Sequence, residues 1–231
     1  EKKINLIYLA AALTLTSCYK LDTQPYSQVS ASSFWQTEDQ ALAGVLGIYN
    51  DLKKESTFGL QFSYDVLTDA GLGYDPNGLG EIVSGTFTDR SSLITNRWQS
   101  GYDVIQRANH AIAQIQKMNI EEAKKNTFVA EAKFLRALTY FQLSNLFGDL
   151  PLYDETIDLN TEFASLKKER SSLAEVRSFI LNDLAFAIQN LPVSYDAKFQ
   201  GRITKGAAYA LRGKVHLYAK TWTEAIKDFE E

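Results

Sequence analysis

The chain has 231 residues, 45% hydrophobic and 23% charged, enough apolar material for one sizeable core or two small ones. A formal net charge of −4 argues against a non-specific grip on nucleic acid. A single cysteine excludes an intramolecular disulfide, and the 12 Tyr, 13 Phe and 3 Trp supply amphipathic surface as well as core.

Residues 1–17 read as a targeting segment. Lys2 and Lys3 form a positive start, and the apolar run Ile4 to Leu15 is too short for a comfortable membrane span. It ends in Leu15-Thr16-Ser17-Cys18, which resembles the bacterial lipobox, so Cys18 is the expected lipidation site and first mature residue. The plainer readings are a simple secretory peptide or a buried strand that holds a Cys. Residues 18–33 are polar, with Pro25 and several Ser, Thr and Gln, and read as a tether. Residues 34–231 read as a helical domain cut at its C-terminal side, because residue 1 is Glu and the helical pattern is still running at Glu231.

Thr37 and Gln40 form a capping box for a helix carrying Leu42, Val45, Leu46, Tyr49 and Leu52 on one side. From Glu55 to Ser92 no helical period survives. This excursion holds many glycines, the turn Pro76-Asn77-Gly78, and Phe58, Phe62, Tyr64, Tyr74 and Phe87. Two readings stand open for it: aromatics offered to a ligand, or a lid folded back on the helices. Leu93 to Met118 is the next predicted helix. Asn119 is the predicted cap of a helix from Ile120 to Phe147.

The stretch Phe128 to Leu152 carries the strongest signal. Val129, Ala132, Leu135, Leu138 and Tyr140 to Phe141 recur at helical steps and predict one apolar face; Gly148 and Pro151 stop the helix. After a polar connection, Ser172 and Glu175 cap Leu173 to Leu191, which Pro192 ends. Thr204 is the predicted cap for Ala207 to Ala219, and Thr221 with Glu224 for a last helix. Tyr209, Gly213, Ala225 and Phe229 match the large–Gly–Ala–Phe spacing of the tetratricopeptide repeat, and Lys133, Ala137 and Tyr140 fit half of an earlier copy. The fold class expected is therefore mainly α: antiparallel helix pairs stacked as a short α-solenoid, with long irregular surface loops.

Three features in this order resemble the SusD/RagB family of outer-membrane nutrient-binding lipoproteins of Bacteroidetes-type bacteria. The first is the lipobox at Cys18. The second is the pair Trp98-x3-Tyr102-x2-Ile105-x-Arg107-Ala108-Asn109 and Glu131-Ala132-Lys133-Phe134-Leu135-Arg136-Ala137, closing in Phe147-Gly148-Asp149-Leu150-Pro151-Leu152. The third is Gly201-Arg202-Ile203-Thr204-x2-Ala207-Ala208, leading into Leu217-Tyr218 and Trp222-x2-Ala225. The resemblance implies a non-catalytic, lipid-anchored protein at the cell surface. It would bind a glycan or other nutrient and deliver it to a SusC-like TonB-dependent transporter, with no cofactor, metal or nucleic acid. Family members run to roughly twice this length. Their binding residues vary with the ligand, so no fixed motif carries over.

Tyr74, Phe87, Arg90, Asn96 and Trp98 are the candidate ligand contacts. Aromatic faces stack on sugar rings, and Arg and Asn donate to paired hydroxyls. Trp98 also lies in phase with the apolar stripe of its helix, which favours packing. The remaining chemistry reads as bland. His110 and His216 each lack a second histidine at ligand spacing. Arg107 and Asn109 are expected to bond loop carbonyls or a neighbouring helix. Glu121-Glu122 and Asp154-Glu155 read as solvated, as does Lys167-Lys168-Glu169-Arg170. No nucleophile elbow, phosphate loop or dinucleotide fingerprint is present. The alternative function is a lipoprotein scaffold of tetratricopeptide type that binds protein alone.

Overall fold

Thr37 opens the folded body as the sequence requires. Its side chain accepts a hydrogen bond from the Gln40 backbone N–H, and the Gln40 side chain accepts from the Thr37 N–H in return. A computed structural model of the chain describes residues 34–59, 65, 68, 79–157 and 167–231. The signal, tether, Cys18 and Tyr74 readings lie outside the described residues. Residues 35–231 form one unit.

That unit is built from α1 (Glu38–Leu52), a π-helical turn (Glu55–Gly59), the short α2 (Leu79–Val83), α3 (Ser92–Lys117), α4 (Glu122–Phe147), α5 (Leu173–Asn190), a 3₁₀ turn (Ala197–Phe199), α6 (Lys205–Tyr218) and α7 (Trp222–Glu230). Among the described residues the one β feature is a single antiparallel bridge between Leu150 and Ser171. α1 pairs with α3, α4 with α5, and α6 with α7, and each pair packs on the next. This is the tetratricopeptide-like arrangement that the periodicity predicts.

α4 is the spine. The expected single apolar face is instead burial nearly all round, from Phe128 to Ser144, because α3 covers one side and α5 the other. A helix buried on several sides has no need of a one-sided stripe. It also begins at Glu122 rather than Ile120, with Glu121 at its N-cap and no side-chain cap bond from Asn119. Gly148 takes the positive φ of 70° that ends it, as Gly at that place allows.

On α1 the buried row is Ala41, Val45, Ile48 and Asp51, while Leu46 stands outward at 46% exposure. Leu42, Tyr49 and Leu52 flank this row half-buried. Of the remaining caps, Ser172–Glu175 is a full capping box and Thr204 accepts from the Ala207 N–H. Thr221 makes no cap bond; its hydroxyl is taken by His216, donating to that residue's carbonyl and lying 2.8 Å from its Nδ1. The Gly213–Phe229 match is borne out: a Cβ on Gly213 would stand 2.7 Å from the Phe229 ring, so α6 and α7 meet there. The excursion is less irregular than expected, since the π turn and α2 both fall within it. Each is about one turn long, below the length at which a helical period can be read.

Candidate functional site

The site grows out of one buried arginine. Arg136, on α4, is 1% exposed and faces Asp183 of α5 through two parallel hydrogen bonds, Nε to Oδ2 and Nη2 to Oδ1, each 2.8 Å. Its Nη1 donates to Asn109 Oδ1 on α3 and to Glu155 Oε2, both at 2.6 Å. Lys133 adds bonds of 3.2 Å to Glu155 and to Asp183. Burial alone would push the Glu155 carboxyl up. The Arg136 charge and hydrogen bond outweigh it, Lys133 assists, and the group is held down at about 2. Glu155 is thus not the solvated carboxylate its neighbour-in-sequence pairing suggests. Its partners lie 19 and 22 residues back on α4, out of reach of any local pattern.

This hub fastens the segment that follows α4. Asn109 Nδ2 donates to the Tyr153 carbonyl at 3.0 Å. The Tyr140 hydroxyl donates to the same carbonyl and accepts from the Tyr153 N–H. Tyr102 donates to the Pro151 carbonyl at 3.0 Å, and burial pushes its own ionisation well up. From the other side Lys168 donates to the Leu152 carbonyl, and Arg170 to those of Phe147 and Asp149. The charged run 167–170 is exposed as expected, but it also serves as a clasp. Arg107 and Asn109 behave as read: Arg107 pairs with Asp51 of α1, and Asn109 bridges a loop carbonyl and a neighbouring helix.

Between this strapped segment and the outer face of α3 lies a cleft of about 520 Å³. Trp98, Tyr102, Gln106, His110, Gln114 and Lys117 line it from α3; Pro151, Tyr153, Asp154, Thr156 and Ile157 line it from the segment. The volume is that of a small-molecule site. A second, shallower hollow is lined by Glu81, Thr86, Thr88, Arg90, Ser91 and Ser92 at the start of α3.

The candidate contacts are therefore not brought together. Trp98 lines the cleft, but its indole is packed: Tyr102 lies 4.9 Å away, Phe147 stands edge-on at 5.1 Å, and the Arg170 guanidinium lies 5.0 Å over it. Arg90 lines the hollow, and Phe87, three residues before it, is 48% exposed. Asn96 is exposed on α3 and lines neither. Sequence reasoning missed the row Gln106, His110, Gln114 and Lys117, although its spacing of four, four and three marks one helix face. Among the described residues no group of three or more His, Cys, Asp or Glu converges as a metal site, and no described helix is long and apolar enough to cross a membrane.

Nested helix pairs with ligand-sized hollows on their surface define a helical body of the tetratricopeptide-like type. Comparison with known proteins gives the family. Residues 21–217 match the model of the SusD-like family described as starch-binding and associating with the outer membrane, and the chain belongs to that family. It is 28% identical over 233 residues to SusD-like protein P2 of Formosa agariphila, covering 98% of this chain and 45% of that one. Among solved structures, a SusD-like carbohydrate-binding protein from Bacteroides fragilis superposes with a TM-score of 0.76 at 26% identity, over 86% of this chain and 40% of its own. A laminarin-binding SusD-like protein gives 0.73 at 29% identity, over 84% of this chain and 42% of its own. The chain spans less than half the length of these relatives.

Proposed function

We propose that this chain is the helical part of a cell-surface lipoprotein that captures a glycan without cleaving it and hands it to a SusC-like TonB-dependent transporter. Family membership supports the glycan, and the neighbours named for carbohydrate and for laminarin support it further. The lipobox supports an anchor at Cys18 on the outer membrane.

The observation that carries the non-catalytic reading is the state of the carboxylates in the cleft. Glycoside hydrolysis needs one carboxyl to give a proton and another to attack or activate water. Glu155 is held ionised by Arg136 and Lys133, and Asp154 Oδ1 accepts from the Thr156 N–H and hydroxyl. Glu155, held down in this way, is not poised as an acid. At the neighbouring hollow, exposed Phe87 and Arg90, which ion-pairs with no described residue, support ligand contact; Tyr74, Asn96 and Trp98 are proposed as further contacts.

Affinity electrophoresis across a polysaccharide panel tests the capture, with retardation by at least one glycan expected and no retardation by any sinking it. Cys18→Ala is expected to release the protein from membranes; sedimentation with the membrane fraction in high salt would refute the anchor. Copurification of a TonB-dependent transporter with the native protein tests the partner.

One observation favours the scaffold alternative. Leu217, Tyr218, Trp222, Ile226 and Phe229 are all more than 40% exposed on α6 and α7, an apolar surface of the kind that protein partners cover. Retention by no glycan, together with loss of a copurifying protein on Trp222→Ser, is the outcome expected of that reading.

A further inference from the structure

We propose that the α3 cleft is itself a glycan subsite, separate from the hollow beside Phe87 and Arg90, and that it takes an uncharged linear oligosaccharide longer than one sugar ring. The inference rests on the capture reading and names its ligand class and its contacts.

Gln106, His110, Gln114 and Lys117 are exposed or half-buried on one face of α3, and no side-chain hydrogen bond or ion pair joins any of them to a described residue, although the His110 ring meets that of Trp35 edge-on. The four side chains thus present free donors and acceptors in a row. A planar amide carries an acceptor and donors side by side, which suits a pair of adjacent hydroxyls; the imidazole ring adds two further nitrogens. From Gln106 to Gln114 is eight residues, a span of about 12 Å along the helix. Two amides that far apart outreach a single ring and address successive rings of a chain.

Ile105 and Ala113 on α3 and Pro151 on the facing segment add apolar lining. It suits the apolar face of a sugar ring rather than a fully solvated polyion. The opposite wall is already fixed before any ligand arrives. Asn109, Tyr140 and Tyr102 hold the carbonyls and N–H of residues 151–153, and Arg136 holds Glu155. A preorganised wall saves the ordering cost that binding otherwise carries.

Charge decides the class. Glu155 is neutralised by Arg136 and Lys133. Among the described residues that line the cleft, that leaves Lys117 and Asp154 as opposed formal charges, while Lys168 and Arg170 lie against the Tyr153 and Trp98 rings and donate to the carbonyls of Leu152, Phe147 and Asp149.

The intact chain is titrated with starch and laminarin, with xylan and mannan, with acidic alginate, and with the mono- to hexasaccharides of whichever polymer binds. The expected result is binding of a neutral polymer that is insensitive to salt, with no measurable heat from the monosaccharide and affinity levelling off after the short oligomers. Gln106→Ala with Gln114→Ala weakens it at least ten-fold with an unchanged thermal melt; both residues are at the surface, so folding is not at stake. Binding within two-fold of the parent overturns the cleft assignment and leaves the capture reading standing. Binding of alginate alone, abolished by high salt, overturns the neutral class. Silence across the whole panel removes the capture reading and the cleft with it.

Discussion

Arg136 and Asp183 meet across the α4–α5 pair as a two-bonded fork, both side chains at most 4% exposed. A guanidinium in this position joins two helices and, through Nη1, a third helix and the wall of the cleft. Removing it leaves two carboxylates with Lys133 as their shared cation and strands an amide oxygen. Breaking a buried pair from one side costs about 3–5 kcal/mol. Arg136→Met is expected to lose that much in urea unfolding at an unchanged m-value. Arg136→Lys keeps the charge but not the planar fork, so it should fall between. Adding Asp183→Leu to Arg136→Met should recover part of the loss, because the stranded partner has gone. A loss under 1 kcal/mol for Arg136→Met would show that the hub does not hold the stack.

Glu155 makes the acid limb of stability predictable. Its carboxyl is held down at about 2 from an ordinary value of 4.5. A group with a depressed folded value contributes stability above its unfolded value, and loses it as the pH falls through the folded one. The stabilisation should therefore be full above about pH 5, fade from pH 4.5 downward and be gone near pH 2. Glu155→Gln should flatten this limb while lowering stability at pH 7. Denaturant midpoints collected from pH 2 to 7 for both chains check it; parallel profiles would exclude Glu155 as a source of the acid sensitivity.

The distribution of readable and unreadable features has a physical cause. Capping boxes at Thr37 and Ser172 are local: donor and acceptor sit three residues apart, so the motif carries its own geometry. Gly213 and Phe229 were legible because a repeat fixes the register of two helices at once. Glu131, by contrast, is 0% exposed in α4 and looks like a solvent residue in any local window. Its partners are Arg202, 71 residues on, and the Tyr49 hydroxyl, 82 residues back. Burial of a charge depends on such distant partners, and the same holds for Glu155. The cleft was missed for a related reason: its second wall is an irregular segment strapped by Asn109, Tyr140 and Tyr102, and no period marks it.

Gly44 tests how closely the N-terminal end of the stack is packed. A Cβ there would stand 2.2 Å from Cη2 of Trp35. Trp35 has a φ of 71°, a left-handed backbone that side chains such as its own rarely adopt, and its ring meets His110 edge-on at 5.8 Å. Overpacking costs about 1–3 kcal/mol, against roughly 1 kcal/mol gained by replacing a mid-helix Gly. Gly44→Ala should lose about 0–2 kcal/mol and shift the tryptophan emission as the indole leaves its seat. An unshifted spectrum with higher stability would mean the ring has another place to rest.

Trp98 separates packing from recognition. Its ring touches Tyr102, Phe147 and the Arg170 guanidinium, and Arg170 in turn bonds the carbonyls of Phe147 and Asp149 at the end of α4. Truncating it removes the shelf on which that clasp lies. A fully buried Trp→Ala costs roughly 3–5 kcal/mol, and a half-buried one should cost about 2–3. Trp98→Ala is therefore expected to lower the thermal midpoint, whatever it does to ligand. Phe87 and Arg90 stand at the surface with no such contacts among the described residues, and their replacement by Ala is expected to leave the midpoint within experimental error while weakening glycan retention. Measuring all three by thermal melt and by affinity electrophoresis distinguishes the roles. If Trp98→Ala melts like the parent yet loses retention, the indole is a ligand platform and its packing is incidental.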